Sequence, residues 1–227
     1  MKKLLFLVVA LVLTTSLSAQ VNEKKQVPQG EPSAALSDLG LAADLVKYGY
    51  AQQSALPLIQ ALQIIKDNPT QPLTAQREGE TVDRSQAKSK YSVVTLEYDK
   101  ILADAKAFAK GNDTMLKLIA QIEAEGKGAV RGAVGGPKKH YDTVNGNSTD
   151  TYEISFYGDE LAEVYVSGDG DTDLDLYVYD SRGNLIDKDD DYTDECYVRW
   201  VPAWTGKFII RIVNRGSVYN EYLLMTN

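Results

Sequence analysis

The sequence predicts an α plus β protein with two parts, a small N-terminal helical bundle of two helix pairs and a C-terminal antiparallel β-sandwich. Residues 34–125 are rich in Ala and Leu at helical spacing, whereas residues 150–227 are rich in Tyr, Val and Asp in alternation. Between them, residues 126–139 contain five glycines and a proline, a composition typical of a linker. We therefore predict a helical domain over residues 34–125 and a sandwich over residues 140–227.

The N-terminal segment has the pattern of a secretory signal peptide. Lys2 and Lys3 precede an apolar run over residues 4–13, and small residues follow up to residue 19. The run is about half of the roughly 20 residues that a membrane-spanning helix needs. We expect a signal peptide over residues 1–20, a flexible segment over residues 21–33, and a secreted or periplasmic protein without a membrane span. No cysteine stands directly after the signal, so a lipoprotein is not expected.

Helical spacing and capping residues predict two helix pairs in the first part. The predicted helices are one over residues 34–50, one capped by Ser54 with Pro57 in its first turn, one over residues 93–110, and one capped by Asn112 or Asp113. The pairs loosely resemble helix-turn-helix repeats of the tetratricopeptide type. Because a stable solenoid usually needs at least three repeats, a small bundle is favoured. Residues 69–90 lack large apolar side chains almost entirely, which predicts a mobile polar loop.

In the second part the hydrophobic period falls to two. Alternating runs begin near Tyr152, Val164, Leu174, Cys196, Phe208 and Tyr222. Turn-forming residues rich in Gly, Asn and Asp separate these runs. Six or seven short strands at this spacing predict an antiparallel sandwich.

A family resemblance lies in the same region. The run SGDGDTDLDLYVYDSRGNL (residues 167–185), followed by WTGKFIIRIVN (residues 204–214), resembles the bacterial pre-peptidase C-terminal domain. The resemblance covers about residues 140–227. It implies a small β-sandwich of a kind carried by secreted bacterial proteins, often peptidases, as an accessory or targeting module. Nothing upstream resembles a peptidase, so the role of a protease tail does not carry over.

Aspartates near the start of the strand predicted at Leu174 suggest a calcium-binding site. An EF-hand is excluded, because Leu174 stands where that loop requires glycine. A different calcium site remains open, since clustered carboxylates are the ligands that calcium prefers. Its predicted ligands are Asp169, Asp171, Asp173, Asp189 and Asp191. The alternative is that these are solvated turn residues.

Strand alternation also predicts a row of outward aromatic side chains. If Leu174 and Val178 face the core, Tyr177 and Tyr179 lie on the opposite face. The same outward phase is predicted for Tyr165, Tyr197 and Arg199. Such a stripe could bind a glycan or a protein through ring contacts and hydroxyl groups, or it could only stabilise the sheet through cross-strand pairs.

Charge and missing motifs narrow the function. Residues 150–227 carry 17 Asp and Glu but six Lys and Arg, which disfavours nucleic acid as a partner. The motifs G-x-S-x-G and H-E-x-x-H are absent, and the one histidine, His140, falls near the predicted linker. Cys196, the single cysteine, is expected to be a buried small hydrophobe.

We therefore predict that the protein is not an enzyme. It is expected to be an exported binding or accessory protein whose partner is an extracytoplasmic protein or a glycan. A calcium-dependent carbohydrate-binding module is the alternative, and an accessory subunit of a secreted hydrolase is the weaker one.

Overall fold

The structure is a computed structural model that describes residues 30–82, 94–126 and 136–227. The predicted signal peptide and most of the segment 21–33 lie outside the described residues, as does most of the predicted linker. The helices are α1 (Ala34–Gln52), α2 (Ala55–Asp67), α3 (Tyr98–Phe108) and α4 (Asp113–Glu125). In the described part of the chain, no helix is long and apolar enough to span a bilayer.

Within the described residues, ten strands form two sheets of five. The strands are β1 (Gln71–Pro72), β2 (Gln76–Glu78), β3 (Lys138–Val144), β4 (Thr149–Phe156), β5 (Ala162–Gly168), β6 (Leu174–Asp180), β7 (Leu185–Asp189), β8 (Glu195–Trp200), β9 (Gly206–Asn214) and β10 (Asn220–Thr226). The first sheet has the order β1-β3-β10-β5-β8, and the second has the order β2-β4-β9-β6-β7. All neighbours are antiparallel except β1 and β3, which are parallel. The predicted α plus β class with a sandwich is confirmed.

The core between the sheets follows the predicted alternation. Leu174, Leu176 and Val178 are completely buried along β6. At one end of the core, the Phe156 ring packs edge-on against Trp200, with 4.8 Å between the ring centroids. Burying such aromatic side chains contributes about 1.5–3 kcal/mol each. The inward residues of the strands therefore hold the two sheets together.

The helices form a third layer against the outer face of the first sheet. Tyr165 of β5 and Leu223 and Met225 of β10 are buried in the same apolar cluster as the inner faces of the helices. The close approach of α1 to β5 depends on Gly40 in α1, because a Cβ atom there would lie 2.7 Å from the hydroxyl of Tyr165. Helices and sandwich thus share one packed interface.

Ionic and backbone contacts also join α1 to the first sheet. Lys47 Nζ lies 2.8 Å from Glu195 Oε1 and 3.1 Å from Asp44 Oδ1. The backbone N–H of Ser33 donates to Glu163 Oε1 at 2.8 Å. These contacts set the position of α1 along the strands.

The segment predicted as a mobile loop, residues 69–90, differs from that expectation over residues 71–78. These residues form β1 and β2, which are edge strands of the first and second sheet respectively. Leu73 between them is buried in the sandwich core. Backbone pairing and the ion pair of Arg77 with Asp150 hold this segment in place, so it needs few apolar side chains. Residues 83–90 lie outside the described residues.

The helix ends predicted from capping residues agree with the structure in some cases and differ in others. Asn112 caps α4 as predicted, since its side chain accepts a hydrogen bond from Met115 N at 3.2 Å. Ser54 precedes α2, but its side chain makes no capping hydrogen bond. The third helix begins at Tyr98 rather than at residue 93. His140 lies within β3 and not in a linker, because its strand pairs along its whole length with β10.

A buried ion pair fastens β2 to the sandwich. Arg77 Nη2 lies 2.8 Å from Asp150 Oδ1, and Asp150 is fully buried. Tyr222 Oη donates to the other carboxylate oxygen at 2.7 Å. Burial raises the pKa of Asp150, while Arg77 and Tyr222 favour its ionised form.

Arg77→Met should lower the free energy of unfolding by about 3–5 kcal/mol, because it leaves the Asp150 carboxylate buried without its cation. Urea denaturation measures the change. The matched control is Lys207→Met, which breaks an exposed pair with Glu153 (2.7 Å) and should cost less than about 1 kcal/mol. Adding Asp150→Asn to Arg77→Met should restore part of the loss. Equal, small effects of both single variants would contradict this role of the pair.

The interface of α1 should make stability depend on pH. Burial and a hydrogen bond with Glu195 raise the pKa of Asp44 from 3.8 to about 6. A carboxyl group with a raised pKa in the folded state holds its proton there more tightly than in the unfolded chain. Its contribution to stability is therefore lost as the pH rises through that range. Burial alone would raise the pKa of Glu195, but hydrogen bonds with Asp44 and Lys47 lower it.

Asp44→Asn should therefore be more stable relative to the parent chain near neutral pH than near about pH 4, where Asp44 is largely protonated. Denaturant melts at the two pH values measure the difference. Asp38→Asn, on the same helix, is the control. A stability difference for Asp44→Asn that does not change with pH would contradict the assignment.

Candidate binding face

The outer face of the second sheet presents side chains that are mostly exposed or half-exposed. We call this surface the open face. It is formed by Gln76, Glu78, Thr151, Glu153, Asp175, Tyr177, Tyr179, Leu185, Lys188, Ile209 and Arg211. On the opposite side of the sandwich, the corresponding outer face of the first sheet packs against helices.

Strand register arranges the open face in two rows that cross the sheet. The first row runs from β7 to β2 through Lys188, Tyr177, Arg211, Thr151 and Glu78. The second row runs in the same direction through Leu185, Tyr179, Ile209, Glu153 and Gln76. Aromatic and basic groups therefore lie toward β6 and β7, and carboxylates lie toward β2 and β4.

Tyr177 and Tyr179 form the aromatic part of the open face. Their ring centroids are 6.4 Å apart and the ring planes are inclined by 21°. The guanidinium carbon of Arg211 lies 4.9 Å from the centroid of the Tyr179 ring, a cation–π distance. The two rings and the guanidinium thus form one continuous surface.

Arg215 holds the Tyr177 side chain in place. Its Nε donates to Asp175 Oδ2 at 2.6 Å, and its Nη2 donates to Tyr177 Oη at 3.0 Å. Tyr177 Oη in turn donates to Asp175 Oδ2 at 3.1 Å. Burial and the hydrogen bond with Asp175 raise the pKa of Tyr177, so the phenol stays protonated near neutral pH. A side chain fixed in this way loses little conformational entropy when it contacts a ligand.

A shallow groove adjoins the aromatic residues. Its volume is about 240 Å³. It is lined by Gln76, Glu78, Thr151, Glu153, Ile209 and Arg211. The groove offers amide, carboxylate, hydroxyl and guanidinium groups around one aliphatic side chain. That mixture suits a ligand that is rich in hydroxyl groups.

The five residues predicted to bind a ligand do not form one stripe. Tyr177 and Tyr179 lie on the open face. Tyr165 and Tyr197 belong to the first sheet, where Tyr165 packs under α1 and Tyr197 Oη donates to the buried Glu163. Arg199 donates from Nη1 to the backbone oxygen of Glu31 at 3.1 Å. The alternation was read correctly, but the outward side of the first sheet is covered by the N-terminal part of the chain.

Tyr197 and Arg199 also line a separate cleft of about 410 Å³ beside β7 and β8. Asp187, Asp189 and Glu31 contribute carboxylates to the same cleft. The cleft therefore combines one guanidinium with several acidic groups.

The predicted calcium ligands lie in or next to two loops that contact each other. Gly168 N donates to Asp194 O at 2.8 Å, and Leu174 N donates to Thr193 O at 3.0 Å. The loop between β5 and β6 therefore packs against the loop between β7 and β8, which brings their aspartates near one another. Asp194 was not among the predicted ligands, although it lies three residues after Asp191.

The predicted calcium ligands make several hydrogen bonds within the protein. Asp169 Oδ1 accepts from Asp171 N at 3.2 Å, Asp189 Oδ2 from Tyr197 N at 2.9 Å, and Asp191 Oδ1 from Thr193 N at 2.8 Å. Asp171 Oδ2 and Asp173 Oδ1 are buried atoms without a hydrogen-bond partner among the described residues. Burial, together with the charges of Asp175 and Asp191, raises the pKa of Asp173.

Within the described residues, no group of three or more His, Cys, Asp or Glu side chains is arranged to hold a metal ion. Calcium binding by these aspartates stays a prediction.

Most residues of the open face were not selected from the sequence, among them Arg211 and Asp175. Arg215, which holds Tyr177, was not selected either. Arg211 alternates with Ile210 and Ile212 in β9, so its outward direction was readable. Its position beside Tyr179 depends on the pairing of β6 with β9, which connects residues far apart in the chain.

Comparison with known proteins shows likeness in part of the chain. No protein-family model and no curated protein matches it. The pre-peptidase C-terminal domain of a collagenase from Bacillus anthracis is similar over 40% of this chain and 88% of that one, with 13% identity and a TM-score of 0.34. The periplasmic lysozyme inhibitor PliG of Aeromonas hydrophila is similar over 43% and 91%, with 16% identity and a TM-score of 0.34.

A third similar structure is the C-terminal CBM6 of LamC from Zobellia galactanivorans. It is similar over 37% of this chain and 75% of that one, with 15% identity and a TM-score of 0.25. Likenesses at these scores do not establish a family for the chain.

The calcium prediction can be tested by thermal melting. If calcium binds the loops, saturating calcium should raise the melting temperature and EDTA should reverse the rise, because a ligand that binds only the folded state adds about 2.7 kcal/mol at a hundred times its Kd. Asp173→Ala should remove the effect, whereas Asp113→Ala in α4 should keep it. An unchanged melting temperature at about 1 mM calcium, a concentration suited to extracellular modules, would contradict the prediction.

Proposed function

We propose that this protein is an exported, non-enzymatic binding protein that holds glycans on its open face. The observation that carries the proposal is the pair Tyr177 and Tyr179, fixed by Arg215 and Arg211 on a sheet face that the helices leave uncovered. Tyrosine combines a large apolar ring with a hydroxyl group, so it contacts both the apolar faces and the hydroxyls of a sugar.

The groove beside the tyrosines supports the same ligand class. Sugars present many hydroxyl groups, and each one that leaves water must find a new partner. Thr151, Gln76 and Glu153 supply such partners from two neighbouring strands. Because these side chains stand on paired strands, their spacing is set by the sheet and not by a loop.

The proposed absence of catalysis is supported by the environments of the single cysteine and the single histidine of the sequence. Burial raises the pKa of the Cys196 thiol well above its usual range, and the thiol donates to the backbone oxygen of Leu174. A buried thiol with a raised pKa is a poor nucleophile. His140 lies 3.3 Å from Asp142 in β3, a strand of the sheet opposite the open face. Measured turnover of a glycoside or peptide would contradict this part of the proposal.

The signal-peptide pattern of residues 1–20 supports export to the periplasm or beyond the cell. The run over residues 167–185 supports membership of the sandwich in the pre-peptidase C-terminal group, and in this structure that run contains β6, which bears both tyrosines. We propose that the helices brace the first sheet as a bundle and not as a tetratricopeptide array, because their inner faces are already used by β5 and β10.

A calcium-dependent form of glycan binding is the second candidate. The unpartnered oxygens of Asp171 and Asp173 favour it, since they lie directly before the strand that carries Tyr177. In that case EDTA would weaken glycan binding as well as lower the melting temperature.

Glycan binding can be tested with an array followed by affinity electrophoresis. The double variant Tyr177→Ala with Tyr179→Ala should weaken binding by about 1–3 kcal/mol, or roughly fivefold to 150-fold, from the loss of two ring contacts. The control removes two exposed tyrosines elsewhere, Tyr48 and Tyr192, and should bind like the parent chain. An array without signal, or equal binding by both double variants, would overturn the proposal.

A further inference from the structure

Basic residues of the sandwich are concentrated on and beside the open face, although residues 150–227 are acidic overall. Only six Lys and Arg stand against 17 Asp and Glu in residues 150–227. Three of those six surround one side chain. Lys188 and Arg211 flank Tyr177 in its cross-strand row, and Arg215 bonds to its hydroxyl.

Two of these three cations are already neutralised within the protein. Lys188 pairs with Asp190, and Arg215 pairs with the buried Asp175. No ion pair among the described residues includes Arg211, which is exposed and contacts the Tyr179 ring. Arg211 is therefore the guanidinium on this face that is available to a ligand, and its planar fork matches a carboxylate with two parallel hydrogen bonds.

The opposite end of the face carries the reverse charge. Glu78 and Glu153 lie on the β2 and β4 side of the groove, and Lys207 neutralises Glu153 at 2.7 Å. An anionic group would be repelled by Glu78 and attracted by Arg211. Charge thus orients a ligand across the strands, with its acidic group toward β6 and β7.

We propose that the open face selects glycans whose sugars bear a carboxylate, with Arg211 as the residue that recognises it. The inference rests on the proposed function, because it assumes that a sugar contacts Tyr177 and Tyr179. In that arrangement the sugar ring lies on the tyrosines and its carboxylate accepts hydrogen bonds from the Arg211 guanidinium.

The test compares polymers that differ only in charge. Polygalacturonate and alginate are each titrated beside their fully methyl-esterified forms, which keep the backbone and remove the negative charge. The parent chain should bind at least one acidic polymer about tenfold more tightly than its ester, as expected for a charge-assisted hydrogen bond. Raising the salt concentration should reduce this preference.

Variants then assign the preference to one residue. Arg211→Gln should bind the acidic polymer as weakly as the ester, and Arg211→Lys should recover part of the difference, since it keeps charge without the fork. Lys117→Gln, which removes an exposed cation on α4 and leaves the open face unchanged, should keep the full preference. Thermal melts of the variants should match that of the parent chain if these exposed substitutions leave the fold intact.

The failures of the two proposals are distinguishable. Equal binding of acid and ester through Tyr177 and Tyr179, or a preference that survives Arg211→Gln, overturns selection by Arg211 and leaves glycan binding in place. Binding of neither polymer form, with a silent array, overturns both. Capture of a protein on the open face without any glycan binding also overturns both.

Discussion

The structure depends on the first sheet being buried on both of its faces. In β10, Tyr222 and Leu224 point into the sandwich while Leu223 and Met225 point toward the helices, and all four are buried. A strand whose side chains are apolar on both faces must be covered on both faces. Many antiparallel sheets instead have one face exposed to solvent. The helices supply that cover. Without them, Tyr165, Leu223 and Met225 would form an exposed apolar patch.

This asymmetry between the sheets decides where a ligand can bind. The first sheet uses its outer face for α1 and for the chain that leads into it, so Tyr165, Tyr197 and Arg199 make contacts within the protein. The second sheet keeps its outer face exposed, and its tyrosines are held by arginines instead of by a neighbouring helix. The outer face of the first sheet therefore contributes to stability, and recognition is proposed for the outer face of the second.

The segment that contains β1 and β2 contributes both to stability and to the proposed binding face. It leaves the helical layer after α2, adds a strand to each sheet, and places Arg77 against the buried Asp150. Glu78 and Gln76 on its β2 strand also form the acidic end of the open face. A segment with only one large apolar side chain, Leu73, thus adds an edge strand to each sheet and completes the groove. Its composition, typical of a loop, hides this because edge strands are held mainly by backbone hydrogen bonds.

The sequence by itself determined the α plus β class, the sandwich, the buried side of β6 and the cap of α4, because periodicity and capping are written in residues that are close along the chain. The four consecutive apolar residues at 222–225 could also have indicated a strand that is covered on both faces. Only the tertiary structure decided which outward face is covered, where residues 71–78 pair, and that Arg211 stands beside Tyr179. Those outcomes depend on strand order and on contacts between distant segments. Alternation states the direction of a side chain but not what it meets there.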